Sequence, residues 1–170
     1  MSEAGLTLVL GGARSGKSRF AEDLLTRLPA PWLYIATAQA LDDEMQARIA
    51  HHRARRPDGW ETVEVPLDLA PALDAVAQGR PVLIDCLTLW LSNLLLAGRD
   101  VEAETDRLAA TLARARGPWV VVANEVGLGI VPDNPLARRF RDAAGRLNQR
   151  AAAAADRVVL TVAGLPVEVK

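Results

Sequence analysis

Six short runs along the chain are apolar at nearly every position: Leu6–Leu10, Trp32–Ala36, Thr62–Val65, Val82–Asp85, Trp119–Ala123 and Val158–Val162. Runs of this length, rich in branched aliphatic residues, predict strands buried on both faces. Between them the spacing of apolar residues changes to the helical period, which predicts helices over roughly 17–28, 42–56, 68–78, 88–97, 101–116 and 135–155. Strands that alternate with helices in this way imply a mostly parallel sheet covered on two sides, an α/β doubly wound domain. Leu165–Lys170 follows the last central strand after Gly164 and contains Pro166, so it is expected to turn back as an antiparallel edge strand. Arg56–Trp60 and Gly127–Pro135, with their glycines and prolines, are expected to be irregular loops.

Length and charge narrow this picture. A chain of 170 residues is expected to form one domain, 1–170, with a core that needs no covalent staples. Twenty basic against 21 acidic residues give a net charge of −1, which argues against intrinsic disorder and against a basic partner for nucleic acid or membrane surfaces. The longest apolar stretch, Leu87–Ala97, is interrupted by Thr88, Ser92 and Asn93 and falls short of the ~20 residues of a membrane span. The N-terminus lacks the basic flank and long apolar core of a secretion signal. One cysteine, Cys86, excludes an internal disulfide and a cysteine-rich zinc site, so the expected compartment is a reducing cytoplasm. Arginine outnumbers lysine eighteen to two, which makes each lysine informative.

The first of those lysines belongs to Gly11-Gly12-Ala13-Arg14-Ser15-Gly16-Lys17-Ser18, a full match to G-x-x-x-x-G-K-[ST] between a predicted strand and a predicted helix. Glycines let backbone N–H groups turn onto phosphate oxygens, and the following helix offers its positive end. Lys17 is expected to reach the β- and γ-phosphates, and Ser18 to bind Mg²⁺. A chance glycine-rich turn is the alternative. The acidic partner of such a loop should end a different buried strand, and Val82-Leu83-Ile84-Asp85 supplies it. Asp85 would then help hold Mg²⁺ on the nucleotide. A second reading makes Asp85 the cap of the helix that begins near Thr88. Cys86 beside it reads most simply as a small buried residue.

The segment Asp42-Asp43-Glu44-Met45-Gln46-Ala47-Arg48-Ile49-Ala50-His51-His52-Arg53-Ala54-Arg55 carries both histidines. At ~100° per residue, Glu44, Arg48, His51 and Arg55 share one helical stripe, and Met45, Ile49 and His52 share another. His52 therefore reads as a packed structural histidine. His51 lies between arginines that disfavour its charged form and attract polyphosphate, which leaves a neutral ring able to act as nucleophile or base. The other reading of His51 is a solvated surface residue. Two histidines are too few for a histidine zinc site.

Together the phosphate loop, Tyr34-Ile35-Ala36-Thr37-Ala38, the histidine segment, Asn124-Glu125-Val126-Gly127 with Gly129-Ile130-Val131-Pro132, and Phe140-Arg141-Asp142 with Gly145 and Asn148-Gln149 resemble the bifunctional adenosylcobinamide kinase / adenosylcobinamide-phosphate guanylyltransferases of cobalamin biosynthesis. The resemblance spans nearly the whole chain. It implies a P-loop fold and two reactions, with Mg²⁺ as cofactor and ATP or GTP as substrates. In the first, the aminopropanol hydroxyl of adenosylcobinamide is phosphorylated. In the second, a histidine attacks the α-phosphorus of GTP, expels pyrophosphate and carries GMP as a phosphoramidate to the phosphorylated substrate, giving adenosylcobinamide-GDP.

By motif position that histidine is His51. The resemblance also implies nucleotide contacts at the phosphate loop, at Ala36, Thr37 and Ala38, at His52, Arg53, Ala54 and Arg55, and at Glu64 and Asp85, in a homotrimer. Two transfers at different phosphorus atoms need different in-line geometries, so either the nucleotide shifts or the histidine helix swings toward the loop. Gly127–Pro135, with Glu125 before it, is expected to face the corrinoid, gate the site, or be a plain rigid loop. Competing readings are a single-function small-molecule kinase, in which His51 is only a phosphate contact, and a non-catalytic nucleotide-binding module.

Overall fold

A computed structural model of the chain describes residues 5–39, 43, 46–47, 50 and 56–170. The strands are β1 (Gly5–Gly11), β2 (Trp32–Ala36), β3 (Trp60–Glu64), β4 (Val82–Asp85), β5 (Pro118–Asn124), β6 (Arg157–Val162) and β7 (Leu165–Glu168). Helices α1 (Lys17–Leu25), α2 (Leu69–Asp74), α3 (Leu87–Leu96), α4 (Val101–Leu112) and α5 (Pro135–Ala154) lie between them along the chain. The strands form one sheet in the order β3-β2-β4-β5-β1-β6-β7. Every neighbouring pair is parallel except β6–β7, as expected for a doubly wound sheet with an antiparallel C-terminal edge.

The two faces of the sheet build two cores. Val9, Leu83, Val120 and Val122 pack with Ala21, Leu24 and Leu25 beneath α1. Leu8, Leu33, Ile35, Ile84 and Val121 pack on the opposite face against apolar residues of α2 to α5. The central strands are buried on both faces, so they show no alternation along the sequence. α4 and α5 begin with side-chain caps: Asp100 accepts from the Ala103 N–H, and Asn134 from those of Leu136 and Ala137, with Pro135 in the first turn. Lys170, the second lysine, closes the other end of α5, where its ammonium donates to the Ala155 carbonyl at 2.6 Å.

Some expectations change. The third strand runs over Trp60–Glu64 rather than Thr62–Val65, and it lies at the sheet edge with Glu61 to Glu64 exposed. Trp60 is therefore a strand residue, not the end of a loop. The reason is positional: an edge strand with little cover on its faces can carry Glu61, Thr62 and Glu64 without burying charge. The helix expected at 68–78 is the shorter α2, and that expected at 101–116 ends at Leu112.

Candidate active site

β1 delivers the phosphate loop. Gly11 closes the strand, Gly16 adopts a left-handed conformation (φ 92°), and α1 starts at Lys17 with no side-chain cap. The first-turn N–H groups of α1 and the positive end of its dipole thus face the turn of the loop. The Lys17 ammonium folds back to the Gly12 carbonyl at 3.1 Å, inside the curve of the loop.

Two residues far away in sequence brace this loop. The Ser15 hydroxyl is buried and lies 2.8 Å from that of Thr161 on β6, which donates in turn to the Leu10 carbonyl at 3.0 Å. The Ser15 carbonyl accepts from the Gly164 N–H in the β6–β7 turn at 2.9 Å. A Cβ on Gly11 would stand 2.3 Å from both the Ser15 and the Thr161 hydroxyl oxygens, so this position needs glycine. The C-terminal hairpin is thereby part of the phosphate site. Its sequence signal is a lone threonine in the apolar run Val158–Val162.

Asp85 ends β4, separated from the loop by β5 alone. Its carboxylate accepts a 3.0 Å hydrogen bond from the hydroxyl of Tyr34, the one tyrosine of the chain. Burial, reinforced by the charge and hydrogen bond of Asp85, holds the Tyr34 hydroxyl far above the usual tyrosine range. It therefore remains a donor at any working pH. The helix after β4 is capped at Cys86 with no side-chain hydrogen bond, which removes the reading of Asp85 as a helix cap. Cys86 is buried as expected, and burial, with the nearby charge of Asp85, pushes its thiol up to about 11. The Arg56 guanidinium stacks 3.8 Å from the centre of the Tyr34 ring and donates to the Thr62 hydroxyl.

Ala36, Glu64 and Asp85 lie side by side at the C-terminal ends of β2, β3 and β4, with Ala36 in register with both carboxylates. Glu64 is exposed. Thr37 is fully buried: its hydroxyl donates to the Cys86 carbonyl and accepts the Cys86 N–H, while its carbonyl accepts from Asn93. Its side chain fixes the ends of β2 and β4 relative to one another. Ala38 is half-buried just beyond it. In the histidine segment, Asp43, Gln46, Ala47 and Ala50 are helical and exposed. His51, His52, Arg53, Ala54 and Arg55 lie outside the described residues.

The sheet order, the glycine-shaped loop and the carboxylate one strand away define a P-loop nucleotide-binding protein. The comparison with solved structures agrees at the level of fold: a prototypical ATPase of a bacterial type III secretion system matches with a TM-score of 0.60 at 12% identity, over 96% of this chain and 56% of that one. The family model for cobinamide kinase / cobinamide phosphate guanyltransferase matches residues 7–169, and the chain belongs to that family. It is 52% identical over 166 residues to the bifunctional adenosylcobalamin biosynthesis protein CobP of Pseudomonas aeruginosa, covering 96% of both chains. It is 47% identical to the corresponding CobU of Salmonella typhimurium, over 97% of this chain and 99% of that one. The protein is a bifunctional kinase and guanylyltransferase of cobalamin biosynthesis that uses ATP or GTP with Mg²⁺. Among the described residues no helix is long and apolar enough to cross a membrane.

Proposed function

We propose that both reactions, phosphorylation of adenosylcobinamide and guanylyl transfer to its phosphate, use the single phosphate loop Gly11–Ser18, and that residues 1–170 act as one catalytic domain. The observation that carries this reading is the preformed loop, with Lys17 folded into it and Asp85 one strand away. Gly11, Gly12, Ala13, Arg14, Ser15 and Gly16 turn backbone N–H groups toward the β- and γ-phosphates, and Lys17 neutralises them for both transfers. Ala36, Ala38 and Glu64, at the ends of β2 and β3, contact the nucleotide beyond its phosphates, and the buried Thr37 between them holds the strand ends that present them.

Mg²⁺ fits the donors present. Ser18 and Asp85 offer hard oxygen atoms, and among the described residues no group of three or more potential metal-ligating side chains exists. An ion that keeps its waters and binds phosphate oxygens needs no more from the protein. When bound it neutralises charge on the phosphates. Tyr34 orients the Asp85 carboxylate toward that task.

His51 is the nucleophile of the second reaction, and His52, Arg53, Ala54 and Arg55 complete the nucleotide contacts. Attack by the His51 ring on the α-phosphorus expels pyrophosphate and leaves a phosphoramidate, which the phosphorylated corrinoid then attacks. The assembly is a homotrimer in the cytoplasm, where Cys86 stays reduced. Exposed Leu128, Ile130 and Val131 in the loop after β5 offer apolar surface for contact between subunits or with the corrinoid. The test is incubation with α-labelled GTP. The native protein should gain an acid-labile, alkali-stable label. His51→Ala should lose the label and keep kinase activity, and His52→Ala should keep the label. Labelling that survives in His51→Ala and vanishes in His52→Ala would assign the wrong histidine.

A further inference from the structure

The family reactions require a group that handles the acceptor alcohol, and the end of β5 is built to present one. β5 lies between β4 and β1, and its last residue, Asn124, is in register with Gly11, the first glycine of the phosphate loop. The pairing continues one residue further: the Glu125 N–H donates to the Gly11 carbonyl at 3.0 Å. Glu125 thus leaves the sheet directly beside the loop that holds the phosphates.

The backbone at this point is fixed from both directions. The Asn124 N–H donates to the Thr88 hydroxyl at 2.7 Å, and its carbonyl accepts from the Asn148 side chain at 3.2 Å. The Glu125 carboxylate is fixed as well. Its Oε1 accepts the Gly127 N–H at 2.6 Å, and the Gly127 carbonyl is held by Arg141 at 2.9 Å. Oε2 makes no hydrogen bond among the described residues, and the side chain is partly open to solvent. A carboxylate held through one oxygen by a backbone N–H that is itself anchored, with the other oxygen unengaged, has what proton transfer to a bound substrate needs.

An independent observation points to a hydrogen-bond donor arriving here. The Asn124 side-chain oxygen is buried and has no partner among the described residues. Val120 and Val122 pack beneath α1, so alternation along β5 puts Asn124 on the α1 face of the sheet, and Glu125 lies just past the last strand residue. A buried acceptor without a donor is rare in a finished structure. Phosphate oxygens carry no hydrogen to offer it, whereas an alcohol or an amide does.

We propose that Glu125 is the catalytic base of the kinase reaction, the carboxylate that accepts the proton of the substrate alcohol. The hydroxyl oxygen forms its bond to the γ-phosphorus as the bond from that phosphorus to the bridging oxygen breaks. The electron pair of the broken bond leaves with the nucleoside diphosphate. The hydroxyl proton passes to Glu125 and then to water. Guanylylation of the enzyme uses no alcohol and therefore does not need this carboxylate. The inference rests on the bifunctional reading above.

The experiment compares native protein with Glu125→Gln and Glu125→Ala in two assays: phosphorylation of adenosylcobinamide by γ-labelled ATP, and self-labelling by α-labelled GTP. Glutamine keeps an oxygen for the Gly127 N–H, so the loop should be retained. Its kinase kcat should fall by about 10²-fold or more, with KM for the corrinoid within a few-fold and self-labelling within a few-fold of native. Added formate should restore part of the kinase activity of Glu125→Ala by supplying a small carboxylate in the vacated space. A Glu125→Gln variant with near-native kcat, or one that loses kinase activity and self-labelling together, overturns the assignment. A native protein that self-labels but does not phosphorylate the alcohol overturns the bifunctional reading itself, and this inference with it.

Discussion

The phosphate loop and the loop that follows β5 leave the same edge of the sheet from neighbouring strands, yet they are held in different ways. Side-chain hydroxyls and a hairpin turn from the far end of the chain brace the phosphate loop from within, through Ser15, Thr161 and Gly164. The other loop is tied mainly by arginines of α5 that grip its backbone carbonyls from outside: Arg141 at Gly127, and Arg138 at Pro132 and Asp133. Leu128 and Ile130, meanwhile, stand almost fully exposed at 86% and 97%. Under the proposed function, the difference matches the ligand each loop would serve. Triphosphates are alike in every turnover and reward a fixed cradle of backbone N–H groups. A corrinoid is large, with ring faces rimmed by amide side chains, and would meet open surface on a segment whose backbone is tied at a few points.

Replacing Lys17 by alanine should break both reactions at once. Kinase activity and self-guanylylation should each fall by about 10²-fold or more, because either transfer needs the same phosphates neutralised. Chemical denaturation should show little change in stability. A variant that kept one of the two rates would end the idea of a shared loop.

Arg141→Ala addresses the other loop. It removes the tie on Gly127, and through it the support of the Glu125 carboxylate. Kinase efficiency should drop about tenfold, the value of one hydrogen bond from a charged donor, while labelling by GTP stays within a few-fold. Equal losses in both assays would mean that the two loops are not separable.

Thr161→Val sharpens the comparison from the stability side. It keeps the shape of the side chain but removes the partner of the buried Ser15 hydroxyl. The expected cost is about 1–3 kcal/mol in denaturant unfolding, with a modest and equal fall in both activities. Unchanged stability would mean that the brace contributes nothing to the fold.

Much of this protein is legible along the chain. Apolar runs of strand length marked six of the seven strands, the tail after Gly164 marked the seventh, and the phosphate motif marked the first turn of the site. These features depend on local rules: side-chain period, turn residues, and the few residue types that can bring backbone N–H groups onto phosphate. His51 was likewise singled out by its stripe, although it lies outside the described residues.

The choice of partners was not local. The pattern does not say that β5 lies between β4 and β1, because strands buried on both faces look alike whichever neighbours they take. It could not separate the two readings of Asp85. The structure removes the helix-cap reading: Cys86 takes the cap of α3, and the Asp85 carboxylate is held instead by the Tyr34 hydroxyl, fifty-one residues earlier in the chain. The Thr161 brace spans a sequence separation of 146 residues, and no periodicity carries information over that distance. Sequence determined which segments become strands, helices and loops, apart from the bounds of the edge strand β3 and of α2 and α4. The packed sheet alone decided which hydroxyl, carboxylate and glycine meet, since side-chain hydrogen bonds act over about 3 Å and depend on the register of every strand between them.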